Sequence, residues 1–283
     1  MAVVRNKLSK NISHHLLAVA IAILMIYPVL WMVSSSFKTQ AGIFRGKLSL
    51  VPDEWVVQNY AEGWSGFGRQ TFATFFMNST IITAFSTMGA VASSALIAFG
   101  FARIKFVGRN LWFALMIATL LLPFEIKMIP QYLLFHRIGW INTFLPMIVP
   151  AALGASAFFI FLIVQFMRTI PKELDESAFV DGAGRFRIFW SIIMPLTTPA
   201  LMTTAIFAFY WQWNDFVRPL IYLSKPKLYT VSVALRLFAD PTSVTNWGAL
   251  FAMATLSLVP VVIIFLVLQR YIVEGISSSG LKG

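Results

Sequence analysis

The chain has 283 residues, of which 58% are apolar and 12% charged, and its formal net charge is +11. About a quarter of the residues of a soluble domain are charged, so this composition, with a mean hydropathy of +0.78, excludes an ordinary soluble protein. The basic balance then indicates loops beside anionic lipid headgroups, and no nucleic-acid partner is expected. The lack of cysteine excludes disulfides, thiol catalysis and thiolate metal sites.

Six apolar runs are long enough for the helix of roughly 20 residues that crosses a bilayer. Backbone polar groups in lipid must be satisfied within the segment, so these runs predict helices rather than strands. The sequence therefore predicts an all-α integral membrane protein, with one transmembrane domain over residues 1–283. The predicted spans are residues 16–37, 72–101, 111–135, 144–167, 199–223 and 249–271.

Short basic segments predict the orientation of these spans. The N-terminal tail and the connection after the second span are basic and free of acids, at Arg5, Lys7, Lys10, Arg103, Lys105 and Arg109. By the positive-inside rule these segments lie in the cytoplasm, which places both termini there. The first run has the position of a signal peptide. No small-residue cleavage site closes it, so we expect an uncleaved first span.

The segment between the fourth and fifth spans, residues 168–198 and here called the elbow, must leave the bilayer. It holds four of the chain's eleven acids. Acids in a first helical turn meet the positive end of the helix dipole, and Gly182 and Gly184 suit a left-handed helix stop. We therefore expect a short helix, a glycine break and a second helix.

The small side chains of Ser177 and Ala178 would let another protein pack closely against the first helix of the elbow. The alternative is an amphipathic connector that lies on the lipid headgroups. Three acids in one short helix beside anionic lipid count against that alternative. The elbow is thus predicted to meet a soluble partner.

One motif in the elbow resembles a known signature. Glu176-Ser177-Ala178, three residues, Gly182, nine residues and then Ile192-x-Met194-Pro195 resembles the EAA motif of bacterial ABC-importer permeases. The family pattern is Glu-Ala-Ala, three residues, Gly, nine residues, Ile-x-Leu-Pro, so the spacing matches, with mild departures at two positions. Other segments are similar to the smaller permease of the maltose/maltodextrin type, in the carbohydrate-uptake branch: residues 122–130, 139–143, 212–223 and 269–275.

This resemblance implies a type I ABC-importer permease (MetI-like) fold and a non-catalytic subunit of an ATP-driven sugar importer in a bacterial plasma (inner) membrane. The implied partners are a second homologous permease in a heterodimer, two copies of a cytoplasmic ATPase, an extracytoplasmic solute-binding protein and the lipid bilayer. The chain has no Gly-x-x-x-x-Gly-Lys-Ser/Thr phosphate loop. We therefore expect no cofactor in this chain, with ATP and Mg²⁺ bound by the ATPase.

The resemblance also implies which residues meet these partners. The outward loop of residues 224–247, which includes Asp240-Pro241, would contact the solute-binding protein, and the tail of residues 275–283 would reach toward the ATPase pair. Alternating access would follow as the two permeases rock around a central cavity. The residues implied to couple this chain to the ATPase are Glu173, Glu176, Ser177, Ala178, Asp181 and Gly182.

Polar and aromatic residues interrupt the fifth predicted span and are candidates for the cargo pathway. Flat aromatic faces beside amides suit a sugar, although interfacial tryptophans and helix-packing polar groups explain the same pattern. Arg218 either pairs with Asp215 or attracts an acidic sugar, which leaves a uronate or phosphate-bearing cargo open. The candidates in this span are Trp211, Trp213, Asn214, Asp215 and Arg218.

Glu125 and Lys127 lie in the third predicted span, where ionisable groups are candidates for function by default. A structural pair, or snorkelling toward the outer surface, explains them as well. Three alternatives to a sugar importer remain: a permease for another solute such as glycerol phosphate or a peptide, a membrane-embedded enzyme, and a secondary transporter driven by an ion gradient.

Overall fold

The computed structural model describes residues 2–45, 49–67, 69–154, 156–239 and 246–280, with side chains described between residues 14 and 271 of these ranges. Asp240-Pro241, residues 281–283 and the side chains of the basic N-terminal tail lie outside the described part, as do the side chains of the tail after residue 271. Over the described ranges the chain is helical and forms no strand longer than one isolated bridge. The predicted all-α class is therefore confirmed.

The α-helices in chain order are α1 (Ala2–Ser35), α2 (Gln40–Phe44), α3 (Gln58–Ser65), α4 (Phe72–Arg103), α5 (Arg109–Ala118), α6 (Phe124–Arg137), α7 (Leu145–Ala152), α8 (Ala157–Met167), α9 (Glu173–Val180), α10 (Arg185–Ile188), α11 (Met194–Leu196), α12 (Thr198–Trp213), α13 (Val217–Tyr222), α14 (Val231–Phe238) and α15 (Trp247–Gly280). Between them lie the 3₁₀ turns Thr119–Leu121 and Pro226–Leu228, and a π-helix at Phe189–Ile193.

Among the described residues, four helical stretches are long and apolar enough to cross a membrane unaided. Two further helix pairs qualify if each bent pair counts as one span, which makes up to six. The four stretches lie within four residues of the predicted bounds at either end, at His14–Ser35, Phe72–Arg103, Leu145–Met167 and Trp247–Tyr271.

The third predicted span is bent rather than continuous. The axes of Arg109–Leu121 and Phe124–Arg137 differ by 99°, and Pro123 stands between them. A residue before proline is pushed out of the helical region, and Leu122 is extended, with ψ 111°. The span predicted over residues 111–135 therefore consists of two helices that meet at this proline.

The chain bends by 75° just before the fifth predicted span, between Arg185–Leu196 and Thr198–Trp213. Prolines at 195 and 199 each remove a backbone N–H from the helix ladder. The Thr198 hydroxyl compensates in part, because it donates at 2.8 Å to the Pro195 carbonyl, the acceptor that Pro199 cannot serve without an N–H. The predicted span of residues 199–223 also ends early, with α12 stopping at Trp213 and the short α13 following after a break.

The chain divides into two compact units, Met1–Phe72 with Leu235–Leu258 and Ala73–Ala234 with Val259–Gly283. This division does not test the predicted single permease domain over residues 1–283, which stays a prediction. In the first unit, the Asn59 amide donates to the carbonyls of Ser36 and Lys38 at 2.9 and 3.0 Å. Gly63 lets α3 lie against Met253, because a Cβ there would stand 2.8 Å from that side chain.

The second unit holds the main hydrophobic core and the elbow. Small residues on α4 allow close packing, since a Cβ on Gly89 would meet Ala152 at 2.6 Å. Near the C-terminal end of α4, Ala95, Ala98 and Phe99 pack into one buried cluster with α8, the π-helix and α12. The core therefore joins the inner ends of several helices to the elbow that emerges from them.

Candidate functional site

The first helix of the elbow is α9, and a glycine ends it as the sequence predicts. Gly182 has φ +81°, its N–H donates to the Phe179 carbonyl at 3.0 Å, and the Ala183 N–H donates to the Ala178 carbonyl at 2.8 Å. This pair of bonds is the Schellman motif, which needs a left-handed residue at that position. Gly184 differs from expectation, because it is extended (φ −71°, ψ 161°) and precedes α10.

Ala178 lies on the inner side of α9, contrary to the prediction that its small side chain meets another protein. Its residue is 8% exposed and belongs to the core cluster of the second unit. The small side chain is needed there because the helix lies directly on the chain's own core. Ala178 is therefore a packing residue, which corrects its assignment as a partner contact.

The outer side of α9 combines acids with exposed apolar side chains. Val180 is 88% exposed and Phe186, at the start of α10, is 73% exposed. Large exposed apolar side chains rimmed by polar ones are typical of an interaction surface. We call this the outer face of the elbow; its exposed residues are Glu173, Glu176, Ser177, Phe179, Val180, Asp181 and Phe186.

Arg103, the last residue of α4, holds the inner side of α9. Its side chain is 4% exposed, its guanidinium donates to the Ile170 carbonyl at 2.9 Å, and its Nε lies 3.4 Å from the Asp175 carboxylate. Burial raises the pKa of Asp175, while the Arg103 charge opposes that rise. Because breaking a buried ion pair leaves a charge uncompensated, this contact fixes the position of the elbow on α4.

Aromatic packing also joins α4 to the part of the elbow that follows Gly182. The rings of Phe99 on α4 and Phe189 in the π-helix lie 5.1 Å apart, and both residues are buried. Such pairs add to the free energy gained from area burial alone. The elbow is thus joined to α4 on both sides of Gly182, so α4 and the elbow form one packed element.

A cavity of about 230 Å³ lies within the second unit and is the second candidate site. It is formed by α4, α6, α7, α8, α12 and α13, and we call it the cationic cavity because Lys127 and Arg218 line it. Trp211 also lines it and stacks on Phe159, with ring centroids 5.1 Å apart and planes 23° apart. The cavity thus combines two cations with a fixed aromatic face.

The residues predicted for the cargo pathway are divided by the structure. Lys127, Trp211 and Arg218 line the cationic cavity, whereas Glu125 is exposed and does not. The Asp215 carboxylate forms an ion pair with Arg218, whose Nε lies 2.7 Å away, and therefore positions a lining residue. Trp213 and Asn214, the other two residues of the predicted set, do not line the cavity.

Trp213 and Asn214 lie away from the cavity lining. Trp213 is 5% exposed, stacks on Phe209 of its own helix and meets the ring of Phe76 on α4 edge-on at 5.7 Å, so it packs between α12 and α4. Asn214 ends α12, and its amide donates to the Tyr210 carbonyl at 2.9 Å. Packing and helix termination account for the two residues here, and their place in the cargo pathway stays a prediction.

Sequence reasoning missed several residues of both sites. Gln212 and Tyr222 line the cavity, and each has a buried polar atom without a hydrogen-bond partner among the described residues. An amide in the middle of an apolar span was a signal for Gln212 that went unused. In the sequence, Arg103 indicated only the orientation of the spans. Its contact with α9 was not predictable, because its partner Asp175 lies far along the chain.

The fold and the site together define a class of protein. Bent and continuous apolar helices surround a cavity, and the elbow, whose first helix α9 is acidic, packs against the ends of several of them. No phosphate-binding loop occurs in the sequence. This is the architecture of a membrane permease subunit.

Comparison with known proteins gives the family. The model of the "Binding-protein-dependent transport system inner membrane component" family matches residues 90–278. "Probable ABC transporter permease protein YurM" of Bacillus subtilis (strain 168) is 36% identical over 91% of this chain and 84% of its own. The "Trehalose/maltose transport system permease protein MalG" of Thermococcus litoralis is 31% identical over 99% of both chains.

A solved structure shares the fold. A chain of a bacterial ABC transporter "involved in the import of the acidic polysaccharide alginate" superposes with a TM-score of 0.83, at 21% identity, over 95% of this chain and 98% of that one. The chain belongs to the binding-protein-dependent transport system inner membrane component family. It is a non-catalytic, multi-pass inner-membrane permease of an ABC importer, which works with an ATPase and a solute-binding protein.

Proposed function

We propose that this permease forms half of the pathway for a sugar or oligosaccharide and couples to a cytoplasmic ATPase through the outer face of the elbow. The observation that carries the proposal is the mounting of α9. Its inner side is fixed to α4 by Arg103 and Ala178, while its outer side is exposed. A helix mounted in this way transmits a push from outside to the membrane spans.

The chemistry of the outer face fits an ATPase cleft with a basic rim and an apolar floor. Glu176 lies at its centre, flanked by Glu173 and Asp181, and we assign it the contact with a basic group. Val180 and Phe179 supply the apolar contact. Electrostatic complementarity of this kind fixes the register and speeds association.

The sugar cargo is supported by the relatives and by the cavity. The Thermococcus litoralis relative is named for trehalose and maltose. In the cavity, an aromatic face at Trp211 lies beside the amide of Gln212, and aromatic and polar groups in this combination suit a sugar ring and its hydroxyls.

The proposed assembly contains a second homologous permease, two copies of the ATPase and one solute-binding protein. The apolar side chains of α1 support a partner or lipid there, since none of its most apolar window is buried within the chain. We place both termini and the elbow in the cytoplasm, in accord with the basic tail and the Arg103–Arg109 connection. ATP and Mg²⁺ bind to the ATPase in this scheme, and its closure drives alternating access.

Glu176→Lys tests the coupling role in the assembled importer. A basic side chain opposite a basic group repels it, so we predict that sugar uptake falls at least tenfold while the variant still reaches the membrane. Glu54→Lys, the same charge change on an exposed carboxylate of the first unit, is the control and should transport normally. Unchanged uptake by Glu176→Lys would disprove the coupling role of the elbow.

A further inference from the structure

The cationic cavity contains buried polar atoms that the protein itself leaves unsatisfied. Gln212 is 8% exposed and Tyr222 is 1% exposed, and both residues line the cavity. Among the described residues, neither the Gln212 Nε2 nor the Tyr222 hydroxyl has a hydrogen-bond partner. Buried polar groups are nearly always paired, and an exception calls for an explanation. A ligand with hydroxyl groups would supply partners to both.

The lining of the cavity is also one-sided in charge. Lys127 and Arg218 contribute two positive charges, and no carboxylate belongs to the described lining. The Asp215 carboxylate contacts the Arg218 Nε and accepts a hydrogen bond from the Arg218 backbone N–H. These contacts do not involve the two terminal guanidinium nitrogens of Arg218. A guanidinium held in this way presents a planar fork that suits a carboxylate or phosphate.

The size and shape of the cavity limit what can enter it. Pockets for drug-sized ligands have roughly 300–1,000 Å³, so a cavity of about 230 Å³ holds one sugar ring rather than a chain of them. Trp211 offers a face against which a ring can stack, and its own stacking on Phe159 holds that face in place. Polar groups from α6, α12 and α13 converge on the same space.

We propose that this cavity binds one ring of an anionic sugar, with Lys127 and Arg218 on its carboxylate or phosphate and Gln212 and Tyr222 on its hydroxyls. The inference rests on the proposed function. It adds that the cargo is anionic and that this chain, rather than the second permease, holds it. A uronate and a sugar phosphate share the required chemistry. The test therefore includes one probe of each kind.

Isothermal titration calorimetry on the assembled importer in lipid nanodiscs, without the solute-binding protein, measures this site. The probes are digalacturonate, glucose 6-phosphate and neutral cellobiose. We expect at least one anionic probe to bind at least tenfold more tightly than cellobiose, and the tighter of the two identifies the anionic group. Equal affinity for all three would overturn the proposal.

Two variants assign the binding to this chain. Lys127 is exposed, so Lys127→Gln should fold, and we expect it to weaken the anionic probe about tenfold and cellobiose less than twofold. Tyr222→Phe removes only the hydroxyl and should weaken every probe that binds about threefold. Arg137→Gln removes a charge from the same helix outside the cavity and should change neither affinity.

The outcomes separate this inference from the proposed function. If Lys127→Gln leaves anionic binding unchanged, or weakens neutral and anionic probes equally, the anionic site is disproved. ATP-driven uptake of a neutral sugar, measured with the solute-binding protein present, would still support the proposed function in that case. If the complete importer accumulates no saccharide at all, the proposed function itself fails.

Discussion

Arg103 illustrates how a single residue determines the placement of α9. Its guanidinium is shared between the Ile170 carbonyl and the Asp175 carboxylate, and both contacts lie on the segment that leads into and forms α9. A backbone contact and a charge contact together restrict both the position and the rotation of the helix. We therefore regard Arg103 as the positioning residue of the elbow.

Arg103→Met leaves the Asp175 carboxylate largely buried without its cation. Removal of one partner of a buried pair is strongly destabilising, and the remaining exposure of Asp175 reduces the effect, so we predict a loss of about 2–4 kcal/mol. Thermal unfolding of the purified permease measures this loss. Unfolding at the wild-type temperature would show that the contact contributes nothing to stability.

The pH dependence of this loss follows from Asp175. Burial raises the pKa of its carboxyl and Arg103 opposes the rise, so Arg103→Met raises that pKa further. A carboxyl with a higher pKa in the folded state binds protons more tightly when folded, so stability increases as the pH falls through that pKa. The deficit of Arg103→Met should therefore be largest near about pH 8 and shrink toward about pH 4.

Asp175→Asn supplies the control for the pH experiment. In the Asp175→Asn background, Arg103→Met removes no charge pair, so its deficit should not vary with pH between about 4 and 8. The measurement is again the unfolding temperature across the pH series. A deficit in the single variant that stays constant across this range would exclude Asp175 as the uncompensated group.

Gly182 is the second residue on which the shape of the elbow depends. A non-glycine residue in the left-handed region costs about 1–2 kcal/mol, so Gly182→Ala should lower stability by that amount, although nothing lies within 4 Å of the new Cβ. Gly182→Asn should cost less, because asparagine tolerates this region. Thermal unfolding and uptake of the assembled importer provide the measurements.

Gly184→Ala is the matched control, because Gly184 is extended and a Cβ there also meets nothing within 4 Å. We expect it to change stability by less than about 0.5 kcal/mol. If both alanine variants behaved alike, the positive φ of Gly182 would not be the feature that matters.

Residue-level features were predictable from the sequence where they depend on local chemistry. The EAA spacing and the left-handed glycine at 182 follow from neighbours along the chain. The burial of Ala178 and the pairing of Arg103 with Asp175 join segments more than 70 positions apart, and a single sequence does not report such contacts. For the same reason, the sequence did not indicate Gln212 as a residue that lines the cavity.

At the level of elements, we expect α4 and the elbow to move as one rigid body. Core packing by Ala178 and Phe189 supports this, because packed interiors resist continuous deformation. The chain has no native cysteine, so two cysteines can be introduced and spin-labelled without labelling at any other position. Leu96 on α4 and Val180 on α9 are both exposed and suit this purpose.

We predict that the distance between spin labels at positions 96 and 180 changes by less than about 2 Å between the nucleotide-free and ATP-bound importer, as in rigid-body motion. The same pair in the Arg103→Met background should show a broader distance distribution. Double electron–electron resonance measures both. A shift well above 2 Å in the wild type would mean that the elbow moves independently of α4.

The sequence predicted the positions of the helices better than their continuity. Length and apolarity located the continuous spans to within a few residues, since bilayer thickness fixes both properties. The bend at Pro123 depends on the residue before proline, which is extended, and the bend at Thr197 lies between Pro195 and Pro199, just before the predicted span of residues 199–223. Hydropathy is insensitive to either bend, so it gave the extent of these two spans and not the angles between their helices.

At the scale of the whole molecule, the proposed role of the permease is to transmit movement to its helices and not to supply the energy for it. Its core joins the elbow to the inner ends of α4, α8 and α12, and the cavity lies between helices of the same unit. An outside push on the elbow can therefore alter the helices that line the cavity. The energy for that movement comes from the ATPase with which an ABC importer permease works.

Sugar uptake into proteoliposomes, with and without the ATPase, tests this claim most directly. We predict ATP-dependent accumulation when the permease is reconstituted with its partner permease, the ATPase and the solute-binding protein, and none when the ATPase is omitted. An imposed ion gradient should not replace ATP. Accumulation by this permease alone, with no ATPase in the vesicles, would contradict the account.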